Sequence, residues 1–185
     1  MGREGVMRPR ILKAALQLFA EVGYENTSIR ELGARLGITS AALYYHFDSK
    51  VEILQSLSNV LAEDLKKVLE RAEQAPDGER GAHEILRHYL EVVKAHPGLI
   101  ETLDRSLPAV RALPIVREIQ TLSKQLAAVL VRISPVKGNE VRAVAALTIL
   151  NAMTARYPER KDQLLAAAVN TLGFDRGFVG VAVST

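Results

Sequence analysis

Apolar side chains recur along most of the chain at intervals of three and four, the spacing that stacks them on one face of an α-helix. Ile11, Ala15, Leu18, Phe19 and Val22 make the first such stripe, with Pro9 near its first position and Gly23 just past its last. Ser28 and Glu31 then form an S-x-x-E capping box at the head of a second helix, barely two turns long, whose stripe is Leu32 and Leu36 and whose stop is Gly37. Thr39 caps a third short helix that turns Leu43 and Phe47 inward and leaves Ser40, Ala41, Tyr44 and Tyr45 on other faces. Asp48-Ser49 restart the chain as a long helix over about residues 49–74.

Ala75-Pro76-Asp77-Gly78 is the clearest loop. A helix over about 81–95 ends at His96-Pro97-Gly98, and a short segment runs from Gly98 to Arg105. A long helix follows over about 108–133, in which Pro114 marks a kink or a late start, and Ser134 to Gly138 closes it. Two Ala-rich helices, about 139–156 and 158–172, are separated by Pro158, and Gly173 to Thr185 is an apolar, glycine-containing tail. Alternating runs of β-branched and aromatic residues are absent and aromatics make up only 5% of the chain, so a sheet has little to be made from. The fold class predicted is all-α. The long helix that starts near residue 50 joins two domains, residues 1–50 with three helices and residues 51–185 as a larger helical bundle.

A chain of 185 residues with 48% apolar and 24% charged positions can bury a core unaided and is not disordered. With no Cys there is no disulfide, thiolate metal site, Cys nucleophile or iron–sulfur cluster, and the reducing cytoplasm is the expected location. The longest apolar runs, Leu126 to Val131 and Ala143 to Leu150, are too short for a membrane span. Lys13, Gln17 and Glu21 interrupt what would have to be a secretory signal's apolar stretch. Phosphate-loop, nucleophile-elbow, zinc-protease and dinucleotide motifs are all missing, so no catalytic residue is assigned and the chain is not expected to be an enzyme. His83, His88 and His96 are spaced five and eight apart, which does not suit a metal site on a helix, and no metal or cofactor is assigned.

The formal charge of +3 permits a polyanionic partner without requiring one. Arg3, Arg8, Arg10 and Lys13 against Glu4 alone make the N-terminal stretch a basic arm, either solvated or placed on nucleic acid. Two short helices joined by a Gly-containing turn, a third before them and a basic arm ahead form the pattern of a helix-turn-helix DNA reader. A helix that enters a major groove needs side chains that are small or end in hydrogen-bonding groups. Ser40, Ala41, Ala42 and Tyr45 meet that need, and Tyr44, His46 and Lys50 supply donors at the rim; His46 is equally suited to the negative end of the helix.

Thr27-Ser28-Ile29-Arg30-Glu31-Leu32, Leu36-Gly37-Ile38-Thr39 and Leu43-Tyr44-Tyr45-His46-Phe47-x-Ser49-Lys50 resemble the signature of the tetracycline-repressor (TetR) family, over about Arg10 to Leu57. The resemblance implies that Thr27 or Ser28 offers a helix N-terminus to a phosphate and that Thr39, Ser40 and Ala41 face the groove. It further implies that Tyr44, Tyr45, His46 and Lys50 clamp the DNA backbone while Leu43 and Phe47 are core. Two positions depart from the pattern. Gly33 stands where Ala is usual, at a cost of about 0.8–1 kcal/mol in helix propensity unless close packing requires it. The groove-facing side chains are too short to bind a purine edge bidentately, so specificity leans on methyl contacts, Tyr45 and DNA shape.

The function implied is a DNA-binding transcriptional regulator, a ligand-released repressor that binds a palindromic operator as a dimer. A helical enzyme or a partner-binding scaffold are the rival readings, and a salt-dependent shift of palindromic DNA separates them from a regulator. The last two helices are expected to pair across a two-fold axis, with Ala143, Ala146, Ala152, Ala166, Ala167 and Ala168 permitting close approach and Leu164, Leu165 and Leu172 adding apolar area. In the larger domain His88, Tyr89, Asp104, Thr148 and Asn151 are polar groups set among apolar stripes. They call either for internal hydrogen bonds in a solid core or for a pocket holding a small-molecule effector. Since Arg and Lys do not cluster there, a neutral or weakly charged lipophilic effector is expected, and no membrane partner.

Overall fold

The computed structural model describes residues 3–136 and 140–174, and among these it contains helices and turns but no strand. Helix α1 spans Arg3–Val22, α2 Ile29–Leu36 and α3 Ser40–Tyr44. The stretch that reads as a basic arm is therefore helical from Arg3 onward, and Pro9 lies inside α1 rather than at its start. Proline interrupts the ladder there because it has no N–H to donate. The turn before it is held from outside, by Met7 packed on the core and by Arg8, whose guanidinium lies 4.0 Å over the Phe47 ring. Residues 137–139 and 175–185, which include most of the expected apolar tail, lie outside the described residues.

Local chemistry accounts for the turns of the N-terminal head, the unit made by α1, α2 and α3. The Ser28 hydroxyl accepts the Glu31 N–H at 3.1 Å while the Glu31 carboxylate accepts the Ser28 N–H at 2.8 Å, so two of the four orphan donors of the α2 start are satisfied. Gly37, at φ 68°, ends α2 in the left-handed conformation. Gly33 is required by packing: a Cβ there would sit 2.8 Å from the Ile38 carbonyl oxygen, where the turn folds back on α2. The propensity penalty at this position is thus the cost of a close approach and does not loosen the head.

Helix α4, Lys50–Glu73, leads into the larger unit, followed by α5 at Glu79–Ala95 and α6 at Leu99–Arg105. The helix expected over 108–133 is two, α7 at Pro108–Arg111 and α8 at Pro114–Ile133, because each proline takes the first turn of its own helix. Helix α9 spans Glu140–Thr154 and α10 Lys161–Val169, with a wider π-type turn over Asn170–Phe174. Helix α4 runs along α8 and α5, and α9 and α10 close the bundle against α5. One continuous apolar core extends from Ile11 to Leu172. No helix among the described residues is long and apolar enough to cross a membrane.

Several residues expected to pair two subunits are spent inside this bundle. Ala143, Ala146 and Ala168 are fully buried, and Leu165 and Leu172 are buried with them. Small side chains here let α9 and α10 approach each other and α5 closely within one chain. Ala166 and Ala167 remain exposed, and Ala152 and Leu164 half-buried.

Candidate nucleic-acid interface and cavity

Helix α3 is anchored from beneath by Leu43 and Phe47, 0% and 1% exposed, and this fixes which side faces outward. Outward stand Ala41, Ala42 and both tyrosines, Tyr44 at 51% and Tyr45 at 74% exposure. Two large aromatics thus stand exposed in and just past a five-residue helix, an aromatic patch on an otherwise small-residue face. Ser40 is half-buried, and the exposed Thr39 caps the helix by accepting the Ala42 N–H at 3.1 Å. The Tyr45 and His46 rings meet edge to face at 5.3 Å, and the His46 carbonyl accepts a hydrogen bond from Arg8. The outward face is small, polar at its start and aromatic at its end.

Thr27, Ser28 and Lys50, all expected to meet DNA, are engaged within the protein. Thr27 is 3% exposed and its hydroxyl donates to the Gly23 carbonyl at 2.8 Å, so it has no hydroxyl to offer a phosphate. Of Thr27 and Ser28, only Ser28 is exposed, at the N-terminus of α2, and its hydroxyl likewise donates within the protein, to the Glu31 carboxylate at 2.8 Å, so what α2 offers a phosphate is its N-terminal backbone. The Lys50 ammonium donates to the carbonyls of Tyr24 at 2.7 Å, Thr27 at 2.8 Å and Glu25 at 3.3 Å, and lies 4.3 Å over the Tyr24 ring. Its three donors are used. Burial of the ammonium lowers its pKa, with Glu25 and Glu31 opposing the shift, as expected for a cation held inside a fold. Lys50 ties the start of α4 to the turn between α1 and α2, with its donors turned to the protein.

Sequence spacing gives no hint of such ties, since they join residues 23 to 26 positions apart. The same holds for Arg8, which reaches the His46 carbonyl and ion-pairs with Glu52 at 3.6 Å, and so fixes the end of α3 to α1 and α4. Arg10, Lys13 and Arg30 are exposed and form no ion pair with any described residue. Arg30, in the first turn of α2 beside Ser28, is a cation that motif reading passed over.

In the larger unit, helices α5, α6, α8 and α9 enclose a cavity of about 780 Å³, within the range of pockets that take small organic ligands. Ile100, Leu103, Val116, Ile119 and Leu147 supply apolar walls, and Tyr89, Asp104, Thr148 and Asn151 all line it. The Tyr89 hydroxyl, in a side chain 1% exposed, donates to Asn151 Oδ1 at 2.9 Å, and Thr148 donates to the Val144 carbonyl at 2.9 Å. Burial pushes the Tyr89 phenol above its ordinary range, so it stays a neutral hydroxyl. His88 is not in the cavity. It faces Arg71 at 3.2 Å through Nδ1 and Arg87 at 3.3 Å through Nε2 on the outside of α5.

Helix α6 connects the two regions. Ile100, Leu103 and Asp104 face the cavity, while Gly98 lies so close to α1 that a Cβ on it would be 2.9 Å from that of Ala20. Thr102 donates to the Phe19 carbonyl at 3.4 Å, and just past α6 the Leu107 N–H donates to the Glu25 carboxylate at 2.9 Å.

Residues 11–57 match the model of the bacterial regulatory proteins of the tetR family. The biofilm operon icaADBC helix-turn-helix negative transcriptional regulator IcaR of Staphylococcus aureus strain Newman is 41% identical over 49 residues, which span 26% of each chain. Only about a quarter of the length of such relatives is therefore covered. Among solved structures, the TetR-family regulator PfmR of Thermus thermophilus superposes with a TM-score of 0.68 at 27% identity, over 88% of this chain and 96% of that one. A TetR-family regulator from Bordetella parapertussis 12822 shares the fold with a TM-score of 0.72 at 18% identity, over 97% and 99%.

Proposed function

We propose that the chain, whose residues 11–57 match the model of the bacterial regulatory proteins of the tetR family, is a DNA-binding transcriptional regulator, a repressor that grips a palindromic operator as a homodimer and is released by a small molecule. The observation that carries this reading is the outward face of α3, whose exposed Ala41, Ala42, Tyr44 and Tyr45 fit a major groove while Leu43 and Phe47 hold the helix rigidly from below. Ser28 and Arg30 at the start of α2 bring a helix N-terminus and a cation to the phosphate beside that groove. The protein acts in the cytoplasm, without a membrane partner or resident cofactor.

Release works through α6. A lipophilic effector in the cavity presses on Ile100 and Leu103, and the opposite side of the same helix bears on Ala20 and Phe19 of α1. Displacing α6 therefore displaces the head, and two heads that no longer sit about 34 Å apart cannot occupy successive major grooves. Selection of duplexes from a random library by the purified protein tests the reading. The expected product is a palindrome bound with an affinity that falls steeply with salt. A protein that enriches no sequence overturns it.

A further inference from the structure

Asp104, Lys124 and Glu140 are the charged groups among the residues that line the cavity. Asp104 stands in the last turn of α6, at the open edge of the cavity, and no described residue donates a hydrogen bond to it or pairs with it within ion-pair distance. Glu101, on the same helix, is taken by Arg105 at 2.7 Å, and Arg111 on α7 acts on Asp104 only from a distance. The carboxylate also sits at the C-terminal, negative end of its helix, which disfavours an anion. Although one side of the residue is exposed, the protein around it desolvates the carboxylate and raises its pKa, so a counter-charge is wanted there. The other two groups make no such demand. Lys124 is exposed on α8, and Glu140 is exposed in the first turn of α9, where the helix dipole favours an anion.

We propose that the cavity takes a lipophilic organic cation, an apolar body of small-molecule size bearing one protonated amine whose N–H groups reach the Asp104 carboxylate. This rests on the effector reading above and narrows it. Leu103, Val116, Ile119 and Leu147 receive the apolar body. Two of the three charges on the lining are carboxylates, and Asp104 is the one set at the unfavourable end of its helix, so the cavity favours a cation over an anion of the same shape. The chain as a whole carries +3, so non-specific attraction works in the opposite sense and would favour anionic ligands.

The test uses the full chain with decylamine, decanol and decanoate, each below its micellar concentration, read by calorimetry and by loss of bound operator. Decylamine is expected to bind at least tenfold more tightly than either of the others. Asp104→Asn should remove that advantage while leaving decanol affinity unchanged, and Lys124→Ala and Glu140→Gln should each leave the advantage in place. The unaltered decanol affinity establishes that the variant cavity is intact. Decanoate binding as tightly as decylamine, or an advantage that survives in Asp104→Asn, overturns the proposal and leaves a lipophilic effector site standing. Binding of none of the three, with operator affinity intact, overturns both the proposal and the lipophilic-effector reading.

Discussion

Single side chains decide several points that a helix-by-helix description passes over. Ser58 is fully buried in α4 and its hydroxyl has no hydrogen-bond partner among the described residues. Leaving a buried hydroxyl unpaired costs about 1 kcal/mol or more, and alanine is also the better helix former, so Ser58→Ala should raise the melting temperature by about 2–4 °C. A lower value would mean that the hydroxyl is satisfied. Lys50→Ala strands three carbonyls and should lower both stability and operator affinity, yet leave the dependence of affinity on salt unchanged, since no phosphate contact is lost. Arg30→Ala should instead flatten that dependence by about one unit per subunit. Finding the reverse in a salt titration would restore Lys50 as the clamp. His88 sets a pH response. Desolvation first, then Arg87 and Arg71, lower its pKa below the ordinary 6.5, so the neutral ring is the form that the fold favours. That contribution is fully present above about pH 6.5 and is lost as pH falls through the depressed value. The lowered carboxylates Glu31 and Asp64 lose theirs only below about 4.5 and 3.8. Melting at pH 7.5 and 5.5 should therefore show a larger loss in the natural chain than in His88→Gln.

At the scale of elements, what could be read from sequence is what short-range chemistry determines. The S-x-x-E box at Ser28, the Gly37 stop and the Thr39 cap each involve residues within three or four positions, and all three are found where spacing puts them. The α4 and α5 ranges follow from apolar periodicity in the same way. Periodicity cannot say whether a proline bends a helix or ends it; at Pro114 the preceding Leu113 is extended, at φ −58° and ψ 137°, and the helix restarts. Site residues divide similarly. The outward set on α3 follows from Leu43 and Phe47 pointing inward, whereas the Lys50 and Arg8 ties need the tertiary fold. Gly33 belongs to both kinds, since its propensity cost is visible in the sequence and its compensation only in space. Gly33→Ala should consequently fail to stabilise α2, because the added methyl forces the Ile38 carbonyl away by some tenths of an ångström. A variant that melts higher than the parent would show that the turn yields freely.

For the whole molecule the unanswered demand is on the outside of α9 and α10. Both carry apolar residues on all sides, and a helix of that kind is stable when it is covered on all sides. Within one chain only the inner faces are covered: Val141 is 79% exposed on α9, and Ala166 and Ala167 are exposed on α10. A second copy laid on the same patch across a two-fold axis would supply the cover, and with it the symmetry that the proposed palindromic operator requires. The residues that decide this are not the ones with the largest apolar area. Leu165→Glu places a charge in the core at a side chain only 6% exposed and should unfold the chain, which would say nothing about pairing. Ala167→Glu adds its charge outside the core, so the expected result is a helical spectrum unchanged in shape, a sedimenting monomer, and operator binding reduced to the level of a single half-site. A variant that remains dimeric and keeps full operator affinity would place the two-fold contact on another face of the bundle.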